Sequence, residues 1–285
     1  MPGESILVGL VGAGIQASRA PRLHEEEGGR QGLHYMYKLI DLDLLGLTPA
    51  ALPEIVTSAE RLGFSGLNIT YPCKQAVIEL MDHLSPDACA IGAVNTVIFR
   101  DGRRFGGNTD WSGFANSFRR KLSDVARNCV VQFGAGGAGA AVAHALLTLG
   151  TRQIALIDTN RDRAADLATA LCSRFGAGRA AAASSPFEAM AGADGVVNTT
   201  PVGMTKFPGS VLPASLLSPG RWVADIVYFP LETELLRDAK ACGCRVMSGG
   251  GMAVFQAVDA FRLFSATEPD AERMLRHFDE MAGRS

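Results

Sequence analysis

Gly134-Ala135-Gly136-Gly137-Ala138-Gly139 constrains this chain more than any other segment. It follows the β-rich run Cys129–Phe133 and opens an Ala/Leu-rich helical stretch reaching Leu149. Glycines 134, 136 and 139 fit G-x-G-x-x-G. In that pattern the first glycine permits a tight turn, the second lets the backbone approach a pyrophosphate, and the third lets helix and strand pack closely. The helix start adds unpaired N–H groups and the positive end of a dipole. The next strand run, Gln153–Asp158, ends on a carboxylate about 20 residues further on, where an acidic residue can meet a ribose. A glycine-rich turn alone is a weak signal. With a strand, a helix and an acidic strand end around it, the segment reads as a dinucleotide site.

Asp158 also bears on which dinucleotide. A carboxylate there accepts hydrogen bonds from ribose hydroxyls and repels a 2′-phosphate. Arg161 and Arg163 follow closely, either as a solvated helix start or as partners for that phosphate. The balance predicts NAD as cofactor, with NADP as the alternative.

The rest of the chain alternates strand-like and helix-like stretches, the mark of an α/β fold with mostly parallel sheets. In the first third, Ile6–Val11, His34–Ile40 and Gly66–Ile69 read as strands. Pro21–Glu27 and Pro49–Leu62 read as helices, the latter with Thr48 as N-cap. Val94–Phe99 and Arg103–Gly106 flank Asp101-Gly102, a hairpin signal. Beyond the glycine turn come a helix Arg161–Phe175 and strands Gly195–Asn198, Trp222–Val227 and Cys244–Met247, with Ala180–Ala183 as a loop. Gly251–Phe264 and Pro269–Met281 read as closing helices. We expect two α/β domains: residues 1–112 plus 248–285 as a substrate domain with a mixed, mostly parallel sheet, and 113–247 as a Rossmann dinucleotide-binding domain.

Composition narrows the partners. Among 285 residues, 47% are hydrophobic and 20% charged, the balance of a globular chain. A net charge of −2 leaves no basic excess, which argues against nucleic acid. No apolar run approaches the roughly 20 residues needed to span a bilayer. Met1-Pro2-Gly3-Glu4-Ser5 lacks the features of a secretion signal, so no membrane association and a cytoplasmic location are expected. Six cysteines without paired C-x-x-C motifs and five scattered histidines give neither a disulfide framework nor a metal site.

Three further clusters gather amide, hydroxyl and charged groups at strand ends, where open α/β sheets bind ligands. They are Asn68-Ile69-Thr70-Tyr71-Pro72-Cys73-Lys74, Ala93-Val94-Asn95-Thr96, and Gly107-Asn108-Thr109-Asp110-Trp111-Ser112-Gly113. Singly, such residues serve as turns and caps; together they suggest one polar pocket. Cys73, beside an ammonium, is either a thiol of lowered pKa or a small packing residue.

These residues also carry a resemblance. The chain resembles the shikimate and quinate dehydrogenases along essentially its whole length. The matching segments, in order, are Gly14–Pro21, Asn68–Lys74, Ala93–Thr96, Gly107–Gly113, the glycine turn, Asn198–Met204, Tyr228–Leu236 and Gly251–Ala257. Asp158 is similar to what the NAD-preferring quinate/shikimate branch carries. The resemblance implies oxidation of a ring secondary alcohol in a cyclic hydroxy acid, with Lys74 and Asp110 as catalytic pair. The chemistry suits those types. Hydride transfer to a nicotinamide needs a group to take the hydroxyl proton; an amine can do so, and a carboxylate can orient it. The resemblance further implies that Thr70, Asn95 and Gln256 bind ring hydroxyls, and that Ser18 binds the carboxylate. Tyr228 is expected to reach substrate or nicotinamide. Asn198, Thr199, Thr200, Pro201, Gly203 and Met204 are expected to line the nicotinamide side, with Gly203 allowing close approach; Gly251 joins the cofactor set. A homodimer is a family expectation.

One position departs from the pattern. The family generally presents a second hydroxyl where this chain has Ala20, in Ser18-Arg19-Ala20-Pro21. A lost hydrogen bond to a charged group is worth about 1.5–3 kcal/mol. Besides a shikimate or quinate dehydrogenase, two readings therefore stay open: a dehydrogenase of an aminoshikimate-like analogue, and a non-catalytic dinucleotide sensor. A sensor has no need of both Lys74 and Asp110.

Overall fold

The computed structural model describes residues 5–283. The segment Met1–Glu4, part of the N-terminal stretch considered above, lies outside the described residues. The chain divides into two compact units, Met1–Thr109 with Val254–Ser285, and Asp110–Ala253.

The first unit is built on a six-stranded sheet of β1 (Ser5–Gly12), β2 (His34–Asp41), β3 (Gly66–Ile69), β4 (His83–Leu84), β5 (Thr96–Arg100) and β6 (Arg103–Gly107), in the order β2-β1-β3-β5-β6-β4. β1 runs parallel to β2 and β3, whereas β5 is antiparallel to both β3 and β6. The Asp101-Gly102 turn accounts for the reversal, with both residues at positive φ. β1 is apolar on both sides, as a central strand must be. Ile6, Val8 and Leu10 pack with Ala260, Phe261 and Phe264 of the helix Gly250–Ser265. Val11 belongs instead to the core under the helix Leu52–Arg61, with Leu52, Val56 and Ala59.

The second unit holds a fully parallel sheet of β7 (Cys129–Phe133), β8 (Gln153–Ile157), β9 (Ala180–Ala182), β10 (Gly195–Asn198), β11 (Trp222–Asp225) and β12 (Arg245–Met247). Its order is β12-β11-β10-β7-β8-β9. The direction of strand addition reverses between β7 and β10, the topological switch point at which such sheets bind nucleotides. This is the Rossmann-like arrangement, and the two-unit α/β expectation holds.

Several local expectations need correction. Ala180–Ala182 is a strand rather than a loop, pairing with β8 on one side only. An alanine run has little β propensity, so its edge position is decided by the neighbour. The Pro49–Leu62 helix is two pieces, a 3-10 turn Pro49–Ala51 and an α-helix Leu52–Arg61 with Pro53 in its first turn. Thr48 is extended and makes no side-chain cap. β11 stops at Asp225, two residues early, because the Asp225 carboxylate takes the Val227 N–H at 3.0 Å and turns the backbone out of the ladder. Asp110 begins a helix, Asp110–Lys121, for which the sequence reading assigns no element.

Candidate active site

At one end of the first sheet, β1, β3 and β6 finish and β5 begins. The loop after β1 carries Ser18, whose Oγ accepts the Ala20 N–H at 3.3 Å. Asp41, buried at the end of β2, shapes that loop. It accepts from the Gly14 and Ile15 amides at 2.9 and 3.1 Å and from Gln16 Nε2 at 3.0 Å. Burial disfavours its charge, but these bonds and one from the Asp43 amide outweigh it and hold the carboxyl below its ordinary range.

Thr70, half-buried after β3, donates its amide to Val11 O at 2.9 Å, tying the β1 and β3 ends together. Lys74, half-buried, accepts the Val94 amide on its own carbonyl at 2.8 Å. Asn95 is 3% exposed and its side chain is engaged on two sides. Its Oδ1 accepts the Thr109 amide at 2.7 Å and its Nδ2 donates to Thr109 Oγ1 at 3.0 Å. Behind it, Thr96 Oγ1 donates to Asn95 Oδ1 at 2.9 Å, Asn68 Nδ2 lies 3.3 Å from Thr96 Oγ1, and Tyr37 OH donates to Asn68 Oδ1 at 2.8 Å. Thus Ser18, Thr70, Lys74 and Asn95 share one sheet end. Gln256 is half-buried in the helix Gly250–Ser265 of the same unit's elements. Asp110 follows Thr109 directly, 7% exposed, as the first residue of its helix.

In the second unit the glycine turn joins β7 to the helix Gly137–Thr148. Gly134 has φ +99°, and a Cβ there would meet Thr199 Oγ1 at 2.6 Å. A Cβ on Gly139 would overlap the Gly134 carbonyl, so the third glycine is a packing requirement. At Gly136, the helix N-cap residue, nothing lies within 4 Å of an added Cβ. That open face, together with an uncapped helix start, fits a pyrophosphate. Ala135 donates its amide to Asp158 Oδ2 at 2.7 Å, and Asp158 Oδ1 takes the Asn160 amide at 2.8 Å. Arg163 Nη1 stands 3.9 Å from Asp158 Oδ2 with its side chain 54% exposed, so it adds little to that carboxylate.

The loop after β10 is held from below. Asn198 Oδ1 accepts from the Thr200 amide at 3.0 Å and Thr200 Oγ1 at 2.7 Å, and its Nδ2 donates to Val202 O and Asp225 Oδ1. Asp225 Oδ2 receives Thr233 Oγ1 at 2.7 Å. With three neutral donors and 1% exposure, burial pushes the Asp225 carboxyl up to about 6. Gly203, at φ +104°, backs onto Thr233, so its small size first serves packing within the loop. Pro201 and Met204 are exposed, as is Tyr228 after β11, and Gly251 packs against Ser117.

The lowered-pKa reading of Cys73 is overturned. The thiol is fully buried in the core with Val77 and Leu67, and burial pushes its pKa up. Sequence reasoning missed Asp41, Asp225 and Gln132. The last had a visible signal, a polar residue inside an apolar strand run. Among the described residues no group of three or more His, Cys, Asp or Glu side chains is placed to hold a metal ion. Nor is any helix among them long and apolar enough to cross a membrane.

Comparison with known proteins bears on this arrangement. Residues 10–97 match the shikimate dehydrogenase substrate binding domain, a span that includes Ser18, Thr70, Lys74 and Asn95. A shikimate dehydrogenase (NADP(+)) of Streptomyces avermitilis is 59% identical over 285 residues, covering 99% of this chain and 98% of the relative. The chain belongs to the shikimate dehydrogenase family. Within that family, a quinate/shikimate dehydrogenase (NAD(+)) of Corynebacterium efficiens is 48% identical over 281 residues, 98% of this chain and 99% of its own. The structure of quinate dehydrogenase from Corynebacterium glutamicum in complex with NAD superposes with a TM-score of 0.92 at 43% identity, covering 98% of this chain and 100% of that one. The relatives at 50–59% identity are named for NADP(+) and those at 44–48% for NAD(+), so the family relatives carry both nucleotide names.

Proposed function

We propose that this protein is a dehydrogenase that transfers a hydride reversibly between NAD and the ring secondary alcohol of shikimate or quinate, giving the 3-dehydro product. Asp158 supports the NAD choice most strongly. Its carboxylate stands at the β8 end, fastened to the glycine turn through the Ala135 amide at 2.7 Å. A carboxylate there favours a ribose diol and disfavours a 2′-phosphate, so NADP is the weaker nucleotide. The turn Gly134, Ala135, Gly136, Gly137, Ala138 and Gly139 would hold the pyrophosphate, with Thr200, Pro201, Gly203, Met204 and Gly251 on the nicotinamide side. When bound, the nicotinamide supplies the hydride acceptor.

In this reading the chain's own residues manage the proton and the substrate. Lys74 takes the hydroxyl proton during oxidation and returns it during reduction, and Asp110 orients the amine. Thr70, Asn95 and Gln256 hydrogen-bond ring hydroxyls, Ser18 binds the carboxylate, and Tyr228 reaches substrate or nicotinamide. Asn95 suits its role because Thr96 and Thr109 fix its amide plane.

Ala20 favours a second reading, a dehydrogenase of an aminoshikimate-like ring acid, since one hydroxyl for the carboxylate is missing. A screen of shikimate, quinate and amino analogues with NAD and NADP separates these. The expected pattern is highest kcat/KM with NAD and either shikimate or quinate. A clear NADP advantage contradicts the nucleotide assignment, and turnover of the amino analogue alone contradicts the substrate assignment. A cytoplasmic homodimer completes the reading, checked by fractionation and by sedimentation.

A further inference from the structure

Gln132 has no exposed surface and sits in β7, where the rest of the strand is apolar. A buried amide costs solvation that hydrogen bonds must offset. Its Nε2 donates to two carbonyls, Gly134 O and Gly139 O, each at 2.9 Å. Its Oε1 has no hydrogen-bond partner. Gly139 O has a full second donor, whereas Gly134 O has only a shared one. Gly134 O also lies 3.0 Å from Thr199 Oγ1, but that hydroxyl has one proton and a nearer acceptor in Phe133 O at 2.7 Å. Gly139 O lies in the first turn of the helix Gly137–Thr148, where a backbone amide one turn further on serves it. An apolar side chain of similar volume would remove an orphaned oxygen and leave Gly134 O with only its share of the Thr199 hydroxyl proton.

The two carbonyls stand at the entry and exit of the glycine turn. Gly134 O belongs to the same peptide unit as the Ala135 N–H, which donates to Asp158. Three side chains, Gln132, Thr199 and Asp158, thus fix that peptide plane from both ends, and Gln132 alone of the three joins it to Gly139. We propose that Gln132 is a positioning residue for the nucleotide: its Nε2 clamps the two ends of the turn, so that the amides between them keep one arrangement to receive a pyrophosphate. The inference rests on the nucleotide site proposed above.

Gln132→Met and Gln132→Leu test it, with NAD binding measured by titration calorimetry and folding by thermal melts. In both variants Kd for NAD is expected to rise about tenfold, the scale of one charge-assisted hydrogen bond weakened by misalignment. KM for the ring acid stays unchanged at saturating NAD, and thermal melts show both variants folded. Variants that bind NAD as tightly as an NAD-binding wild type overturn the role of Gln132 while leaving the site itself intact. Wild-type protein that takes up no nucleotide overturns both.

Discussion

The carboxylate of Asp158 accepts a hydrogen bond from the amide of Ala135 at 2.7 Å, so the acidic residue at the end of β8 and the glycine turn after β7 form one unit. A charge placed at the turn itself discriminates between nucleotides more strongly than one on a free side chain, because its position is fixed.

Asp158→Asn keeps the size and removes the charge, together with one of the two backbone amide bonds that the carboxylate accepts. The ratio of kcat/KM for NAD over NADP is expected to fall by roughly tenfold, mostly through better use of NADP. Steady-state kinetics with both nucleotides reads this directly, and an unchanged ratio contradicts the discriminating role.

For the proposed catalytic pair, Lys74→Ala and Asp110→Asn are each expected to lower kcat by about 10²–10⁴-fold, the usual share of a general acid–base group. Thermal melts should show the fold intact. Near-normal turnover in either variant removes that residue from the mechanism.

Ala20 sits two residues after Ser18, half-buried, with its amide on the Ser18 hydroxyl. Ala20→Ser adds a hydroxyl beside the proposed carboxylate position and should lower KM for shikimate by about ten- to a hundred-fold. An unchanged KM shows that this position does not touch the carboxylate.

Asp225 predicts a pH effect on stability. Its carboxyl is pushed up from 3.8 to about 6 by burial, so the folded state binds this proton more tightly than the unfolded chain. The resulting stabilisation is fully present below pH 3.8 and is lost as pH rises through about 6. Relative to Asp225→Asn, the wild type should lose on the order of 3 kcal/mol across that window. Denaturant unfolding at a series of pH values measures it, and parallel profiles for the two proteins would refute the role of this carboxyl.

Much of this architecture could be read before any coordinates. The glycine turn, its flanking strand and helix, and Asp158 follow local rules of spacing that survive in any tertiary context. The polar segments around Thr70, Asn95 and Thr109 were equally visible, because polar residues bunch at strand ends. What escaped depends on neighbours distant in sequence. β9 exists because β8 offers it an open edge. The helix Asp110–Lys121 was hidden by Gly113 and by a polar first turn that reads as loop. Asp41 and Asp225 look like ordinary strand-end acids; only the folded backbone shows that each collects donors from segments far along the chain or across a turn. Cys73 misled because its neighbour in sequence is an ammonium, whereas its neighbours in space are apolar.

The central claim is hydride transfer from a ring carbinol to NAD. Shikimate or quinate carrying deuterium at the carbinol carbon being oxidised, turned over with NAD, tests it most directly by NMR of the reduced nucleotide. The account predicts deuterium at the nicotinamide C4 and a slower rate with the labelled substrate. Label that stays in the ring acid or washes into water, with no reduced nucleotide formed, would contradict it.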